Sequence, residues 1–478
     1  MRAKAFFSSI SRSGIITMLC LLVMLLTFGC KQKTDDVGGD DQKKEARSEG
    51  QVKEIVFDMH EVSVFDVASV SRDFIRGQTT MCNDRRGGGK YPVFKSGKPL
   101  YGSAHFPGSS AASRSPGGYH FAIDEAGGIG TGYDLLYFDR NGDLDLTDEE
   151  PLKALKSPPD GALLGYSSTV QEVCFDSFDM TFDFGSGGNR AIEIMPRLTF
   201  RNNERAQFSF VATKAHKGRI NLVGAEYDAL LGYSYSVGAP LDQPGAVFCL
   251  TPSSESQHPP RWWGADNLNS MHAIGGQYYS FSATPTGDKL FARLYEGPLG
   301  TFEVGGGSRD LKDVTIQGSL RSEDTAVAVG GGLENGMPKP AKSCLLPEGD
   351  YMPAFLTIKF GNLRISVSNN YHADSKPFGH GSELKVYGIK IRKDKPYVLD
   401  FSNDPDVMFA SPAKDHRAKL GEELQVKAVL IDPELDIMIR GLDDTGTEQK
   451  QKNISLDPKV LITRADGEKV AEGVMPFG

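Results

Sequence analysis

Strict alternation of apolar and polar residues is the pattern that most constrains the fold of this chain. Residues 178–184 read Phe-Asp-Met-Thr-Phe-Asp-Phe, and a period of two places successive side chains on opposite faces of a β-strand. No window of about 12 or more residues shows the 3.6-residue period of an amphipathic helix together with capping residues. Comparable short runs occur at residues 192–194, 198–200, 208–210, 279–282, 302–304, 314–316, 355–360, 363–367 and 424–430.

Turn residues separate these runs. Gly361-Asn362 and Asp466-Gly467 lie between apolar segments and are hairpin signals. Glycine contributes 54 of the 478 residues, which is about 11% against a usual ~7%. Strands at short spacing without intervening helices are typical of sandwiches and barrels. The sequence therefore predicts a mainly β protein with several β-sandwich-like modules in tandem and few helices beyond its amino-terminal segment.

The amino-terminal segment has the composition of a targeting sequence. Arg2, Lys4 and Arg12 are basic, and no acidic residue occurs before Asp35. Residues 14–29 then carry no charge. This run is shorter than the roughly 20 apolar residues of a membrane-spanning helix and has the length of the apolar region of a signal peptide. The segment ends in Thr27-Phe28-Gly29-Cys30.

This ending resembles the lipobox of bacterial lipoproteins. The resemblance implies that residues 1–29 are a signal peptide and that Cys30 carries the lipid and becomes the new amino terminus. Lys31 follows where an acidic residue would imply retention in the inner membrane, so the resemblance favours an outer-membrane lipoprotein on the periplasmic or extracellular face. An uncleaved signal anchor and ordinary secretion are the alternatives.

Residues 30–53 are rich in charged residues of both signs and poor in apolar ones. Such a segment cannot bury enough apolar surface to offset the entropy of ordering, which predicts a disordered tether. The expected partners are a membrane, reached through the lipid on Cys30, and a cell-envelope or extracellular polymer. The formal charge of −9 disfavours nucleic acid, because an acidic surface repels the phosphate backbone.

The length of the chain suggests two to four domains. Composition shifts place a β-rich domain at residues 54–262, a β-sandwich-like domain at 263–395 and a third domain at 396–478. In strand density and in its Gly421-Glu-Glu entry to a strand, the last block resembles bacterial immunoglobulin-like modules.

One loop carries a pattern that points to metal chemistry. Residues 139–150 read Asp-Arg-Asn-Gly-Asp-Leu-Asp-Leu-Thr-Asp-Glu-Glu, and calcium prefers six to eight oxygen ligands. The alternating acids resemble the calcium loops of EF-hands and dockerins over these twelve residues. The resemblance implies a structural Ca²⁺ whose ligands are Asp139, Asn141, Asp143, Asp145 and Glu150.

Two features of the loop depart from that family. Leu144 stands at position 6, where glycine is usual, and its β-carbon is expected to resist a positive φ. Pro151 stands where an exiting helix would begin. The alternative interpretation is a hairpin tip at Asn141-Gly142 with solvated acids around it.

Four cysteines follow the lipid site: Cys82, Cys174, Cys249 and Cys344. Outside the cytoplasm an even number predicts two disulfides, with three possible connectivities. The alternative is four buried thiols that behave as small apolar residues.

Two functions remain open from the sequence. The favoured one is a membrane-tethered lipoprotein with a non-catalytic binding or structural role, for which no catalytic residues are expected. The alternative is an exported hydrolase that acts on polysaccharide through a pair of carboxylates, with Trp262-Trp263 as an aromatic platform for the sugar. The sequence contains no H-E-x-x-H or G-x-S-x-G motif.

Overall fold

The computed structural model describes residues 2–4 and 54–475, the latter with gaps of which the longest are 107–117, 254–265, 306–313, 369–387 and 446–453. The predicted Cys30 anchor and tether, and the Trp262-Trp263 pair, lie outside the described residues. The described residues form two compact units, one with residues 2–4 and 457–475 and the other with residues 54–456.

The described strands as far as residue 252 are β1 (Arg2–Lys4), β2 (Glu54–Asp58), β3 (His60–Ser63), β4 (Gln78–Met81), β5 (Leu100–Ala104), β6 (Tyr119–Asp124), β7 (Leu135–Phe138), β8 (Leu152–Lys153), β9 (Val170–Cys174), β10 (Phe178–Asp183), β11 (Asn189–Arg201), β12 (Gln207–Ala212), β13 (Lys214–Leu222), β14 (Ala225–Tyr233) and β15 (Ala246–Pro252).

The later strands are β16 (Asp266–Asn267), β17 (Ser270–Ile274), β18 (Gln277–Ala283), β19 (Lys289–Leu294), β20 (Leu299–Gly305), β21 (Val314–Arg321), β22 (Ala326–Val329), β23 (Leu333–Glu334), β24 (Met337–Pro338), β25 (Ser343–Pro347), β26 (Gly349–Phe360), β27 (Leu363–Val367), β28 (Ile389–Ile391), β29 (Tyr397–Asp400), β30 (Asp406–Ser411), β31 (Lys427–Asp432), β32 (Ile437–Asp444), β33 (Ile454–Ser455), β34 (Lys459–Thr463) and β35 (Lys469–Val474).

The mainly β fold is confirmed. Within the described ranges the helical elements are the short α1 (Val64–Val67) and two 3₁₀ turns, Arg72–Ile75 and Gly185–Gly187. No helix in this part of the chain is long and apolar enough to cross a membrane. Strand β10 shows the predicted alternation directly, because Phe178, Met180 and Phe182 are buried and the residues between them are exposed.

Both predicted hairpins are also confirmed. Phe360 pairs with Leu363 across Gly361, whose φ is +56°. In the smaller unit β34 pairs with β35 across Gly467, at φ +95°. Glycine adopts such left-handed backbone without the clash that a β-carbon introduces. That unit is a three-stranded sheet in the order β1-β34-β35.

The larger unit contains six described sheets, and backbone pairing links distant parts of the sequence. Strand β2 pairs with β19, and β20 pairs in parallel with β29. These pairings cross the predicted boundaries at 262/263 and 395/396. The sheet orders are β10-β11-β12-β4 with β9 on β11; β16-β15-β14-β13-β3; β5-β6-β7-β8; β25-β20-β29; β23-β24; and β2-β19-β18-β17-β22-β21-β26-β27-β32-β31-β30 with β28 on β26 and β33 on β32.

Two large hydrophobic clusters stabilise this unit. The first lies among strands before residue 295 and is rich in phenylalanine. Its rings pack closely, with Phe121 and Phe208 4.6 Å apart between centroids and Phe106 and Phe210 5.1 Å apart. Such contacts add about 0.5–1.5 kcal/mol per pair to the gain from burial. The second cluster is mostly aliphatic and includes Ile316, Ile358 and Val367.

The prediction of two disulfides is wrong. Cys82, Cys174, Cys249 and Cys344 all carry thiols in the structure. The physical reason is their separation, because each packs with a different hydrophobic cluster. Burial raises the pKa of the Cys174 and Cys344 thiols to about 11. The cysteines therefore behave as small apolar residues, which was the alternative interpretation.

A buried arginine ties loops to the sheet of β9–β12. The side chain of Arg197, on β11, is 0% exposed and lies 3.8 Å from the Glu172 carboxylate through its Nε. Its guanidinium donates to the carbonyl oxygens of Ala162 and Arg76, both at 3.0 Å. Glu172 in turn accepts from the backbone amides of Leu164 and residue 165.

We expect Arg197→Ala to lower the free energy of unfolding by about 3–5 kcal/mol, because it leaves the Glu172 carboxylate buried without its cation. Urea unfolding followed by near-UV circular dichroism measures this change. Arg190→Ala is the matched control, since Arg190 lies on the same strand and is exposed. Its effect should stay within about 0.5 kcal/mol. Equal losses in the two variants would contradict the role of Arg197.

Candidate functional sites: the acidic loop and the Glu193 cavity

The acidic loop, residues 139–150, joins β7 to β8. Strand β7 is half-buried and ends at Phe138, so the next residue, Asp139, enters the loop from the protein interior and is 0% exposed. Leu146 is also buried, at 1%. The Leu146 side chain packs in the protein interior and holds the middle of the loop there, while the neighbouring acidic side chains lie near the surface.

The carboxylate of Asp139 organises the first half of the loop. Its Oδ1 accepts from the amides of Gly142 at 2.7 Å and Asp143 at 3.1 Å, and its Oδ2 accepts from the amide of Leu144 at 3.1 Å. Burial raises the pKa of Asp139, and the three amide hydrogen bonds oppose that rise. The aspartate therefore acts as the internal support of the turn.

Three further side chains of the loop each form the same local turn. Asn141 Oδ1 accepts from the Asp143 amide at 2.9 Å, Asp143 Oδ1 from the Asp145 amide at 2.8 Å, and Asp145 Oδ1 from the Thr147 amide at 3.0 Å. Short acidic and amide side chains form such turns with the backbone two residues onward. Four of the five predicted ligands are thus folded back onto the same loop.

The expectation that Leu144 resists a positive φ is wrong. Its φ is +68°, close to the +73° of Gly142. A left-handed conformation costs a non-glycine residue roughly 1–2 kcal/mol. Two hydrogen bonds offset this cost, since the Leu144 amide donates to Asp139 and its carbonyl oxygen accepts from the Lys90 amide at 2.8 Å. The backbone therefore wraps around position 6 without glycine.

Lys90 is a loop partner that sequence reasoning missed. Its backbone pairs with the loop, because the Leu146 amide donates to the Lys90 carbonyl at 3.0 Å. Its ammonium lies 2.6 Å from Asp145 Oδ2. The hydrogen bond from Lys90 lowers the pKa of Asp145 to about 2, and the same contact raises the pKa of Lys90. No sequence pattern links two residues that lie 55 positions apart.

The acids at the end of the loop are arranged differently from the expected calcium pattern. Glu149 Oε1 accepts from the Arg140 amide at 2.8 Å, whereas Glu150 is exposed. Within the described residues, no group of three or more His, Cys, Asp or Glu side chains is placed to hold a metal ion. The donors at positions 139, 141, 143 and 145 are all oxygen atoms, which in kind fit a hard cation such as calcium.

A second polar site lies where the chain passes from the sheet of β9–β12 to the sheet of β13–β16. Thr213 stands at this corner, between β12 and β13. A cavity of about 370 Å³ opens there, hereafter the Glu193 cavity. Its polar lining is Ser63, Asp176, Ser177, Glu193, Thr213 and Lys214, and its apolar lining is Phe65, Leu155, Pro159 and Met195. Sequence reasoning missed this site because its residues come from separate elements and form no local motif.

Glu193 accepts hydrogen bonds from two hydroxyl groups of the cavity. Ser177 Oγ donates to its Oε1 and Thr213 Oγ1 donates to its Oε2, both at 2.6 Å. These two hydroxyl hydrogen bonds lower the pKa of Glu193, and the nearby charge of Lys214 lowers it further. Glu193 is consequently ionised at neutral pH.

We expect Lys90→Met to raise the pKa of Asp145 from about 2 toward its ordinary value of 3.8. Because the folded-state pKa is depressed, the pairing stabilises the fold at pH values above about 4, and this contribution is lost as the pH falls through about 2. Carboxyl-detected NMR titration measures the shift. Lys95→Met, at an exposed lysine, is the control and should leave Asp145 unchanged. A wild-type Asp145 that titrates near 3.8 would contradict the pairing.

The chain matches no protein-family model, no curated protein and no solved structure. The described part of the chain offers two candidate sites: a loop whose acids are bound to its own backbone, and a cavity whose glutamate is held by two hydroxyl groups.

Proposed function

We propose that this protein is a membrane-tethered lipoprotein of the bacterial cell envelope, with a non-catalytic binding or structural role carried by its β-rich body. The anchor rests on the basic start of the chain, the uncharged residues 14–29 and Gly29-Cys30. The tether rests on the mixed charge of residues 30–53. A cell-envelope or extracellular polymer is the proposed partner of the body.

The observation that supports a structural role most is how the body uses its buried carboxylates. Asp139 accepts from three loop amides. Asp124, which is 1% exposed, accepts from the amides of Lys95 and Ser96 at 2.9 Å each. Glu172 accepts from two further amides. Hydrogen bonds to charged groups contribute about 1.5–3 kcal/mol each to stability. These buried carboxylates therefore stabilise the conformations of the loops whose amides they bind.

A structural calcium ion in the acidic loop is part of the proposal. Asp139, Asn141, Asp143 and Asp145 would supply oxygen ligands, with Glu150 as a further one. A bound cation supplies charge that offsets repulsion among carboxylates. Asp139 holds the turn of the loop, and Lys90, which lies outside the loop, gives Asp145 a positive partner.

The second candidate function is an exported hydrolase, and one observation favours it. The Glu193 cavity contains two carboxylates, Asp176 and Glu193. A glycoside hydrolase needs one acid in the protonated form and one in the ionised form. The lowered pKa of Glu193 suits the ionised partner. Asp176 Oδ2 accepts a hydrogen bond from the Lys153 amide at 3.1 Å.

For the anchor, we expect wild-type protein to partition into the detergent phase and Cys30→Ser to move to the aqueous phase, because the thiol is the site of acylation. Phase separation in Triton X-114, followed by mass spectrometry of the amino-terminal peptide, measures this. Cys82→Ser is the control, as this buried thiol lies in the body. A Cys30→Ser protein that is processed and stays membrane-bound as before would overturn the lipoprotein proposal.

For the loop, we expect calcium to raise the melting temperature more than magnesium does, since the small octahedral shell of magnesium tolerates irregular ligands poorly. At a hundredfold excess over Kd the gain is about 2.7 kcal/mol. Differential scanning calorimetry in calcium, magnesium and chelator measures it. Asp143→Ala should abolish the response, and Asp148→Ala, at an exposed loop acid outside the predicted ligands, should retain it.

The Lys90→Met variant provides a second test of calcium binding in the same calorimetry experiment. The Lys90 ammonium lies on Asp145 Oδ2 at 2.6 Å and competes with a metal for that oxygen. Removing it should therefore increase the calcium-induced rise in melting temperature. A wild-type protein and a Lys90→Met variant that are both indifferent to calcium would show that the loop is a turn with no metal.

A further inference from the structure

The Glu193 cavity has the size of a small-molecule site. Its volume of about 370 Å³ lies within the range of roughly 300–1,000 Å³ that ligand pockets occupy. Phe65 and Leu155, both half-buried, provide apolar surface, and Glu193 provides a charged group beside them. Most of the lining residues are polar, and polar groups at fixed positions orient a bound molecule.

One wall of the cavity is built on paired strands, which preorganises Glu193 and Lys214. The Thr213 amide donates to the Glu193 carbonyl at 3.0 Å, and the Val64 amide donates to the Thr213 carbonyl at 2.9 Å. Ser63, at the end of β3, pairs in register with Lys214 of β13. Side chains that project from rigid elements hold a ligand more specifically than side chains on loops do.

Charge decides which ligand fits. The two hydrogen-bond donors on Glu193, Ser177 and Thr213, are neutral hydroxyl groups, so they leave its negative charge in place. A carboxylate has about four acceptor positions, and these donors use two of them. With Asp176 the cavity holds two acids against the single cation of Lys214. Its lining is therefore net negative and retains acceptor capacity.

We propose that the Glu193 cavity binds a small organic cation, a primary ammonium on a short apolar body. The ammonium donates to Glu193 and lies near Asp176, and the apolar body packs on Phe65 and Leu155. This inference goes beyond the proposed function and depends neither on the lipid anchor nor on calcium.

The test uses the full chain in detergent with chelator, which removes any contribution of the acidic loop. Phenethylamine is the probe, and phenethyl alcohol is its neutral counterpart of nearly the same shape. Ligand-observed NMR titration gives the two affinities. We expect saturable binding of the amine, about tenfold tighter than that of the alcohol, because a hydrogen bond to a charged group accounts for a difference of that size.

Three variants locate the binding. Glu193→Gln keeps the shape of the side chain and removes its charge: the amide oxygen accepts from one of the two hydroxyl groups, and the amide nitrogen donates to the other. It should weaken amine binding about tenfold while leaving the alcohol unchanged. Lys214→Met should strengthen amine binding, because it removes the repelling cation. Asp183→Asn is the matched control and should change nothing, because this exposed acid lies further along β10 and pairs with Asn189 rather than with Glu193.

Circular dichroism and the melting temperature of each variant show whether the fold is retained. Should Glu193→Gln unfold, the comparison of amine with alcohol in the wild type and in Lys214→Met still decides the matter. Equal affinities for the amine and the alcohol, or no saturable binding by the wild type, would overturn the proposal. A failure of lipid anchoring or of the calcium response would leave it standing, since neither enters this measurement.

Discussion

Hydrogen bonds from backbone amides to buried carboxylates hold the loops of this protein against its sheets. Asp124, Asp139 and Asp432 are all about 1% exposed or less, and each accepts from at least two amides. A charge taken out of water costs several kcal/mol unless it is paired or hydrogen-bonded. Hydrogen bonds from amides at loop ends offset that cost. The same hydrogen bonds fix the positions of those amides and so determine the path of the loop.

The general fold could be predicted from the sequence because its strands and hairpins leave local patterns. The period of two in residues 178–184 reflects one buried and one exposed face, and the structure shows that division residue by residue. Gly361 and Gly467 marked hairpins because a tight turn needs left-handed backbone. Both signals depend on residues that are close together in the sequence, so they can be read from the sequence alone.

The pairings between distant residues could not be predicted in the same way. Lys90 and Asp145 come together because the backbone around Lys90 pairs with the acidic loop, and no composition rule anticipates that. For the cysteines, the sequence predicted contacts that the structure does not contain. Their even number suggested disulfide bonds. A disulfide requires two cysteines whose α-carbons lie within about 7 Å of each other. Here each cysteine packs in a different hydrophobic cluster.

Asp139 and Glu193 show how one chemical group can serve two purposes. The donors on Asp139 are backbone amides of a closed turn, and they cannot leave without unfolding that turn. The donors on Glu193 are hydroxyl groups of Ser177 and Thr213, which rotate freely about the C–O bond. A ligand can therefore take over part of the hydrogen bonding of Glu193 at little structural cost. The same exchange at Asp139 would break the loop. Of the two acids, Glu193 is for this reason the one suited to reversible binding, and Asp139 the one suited to support.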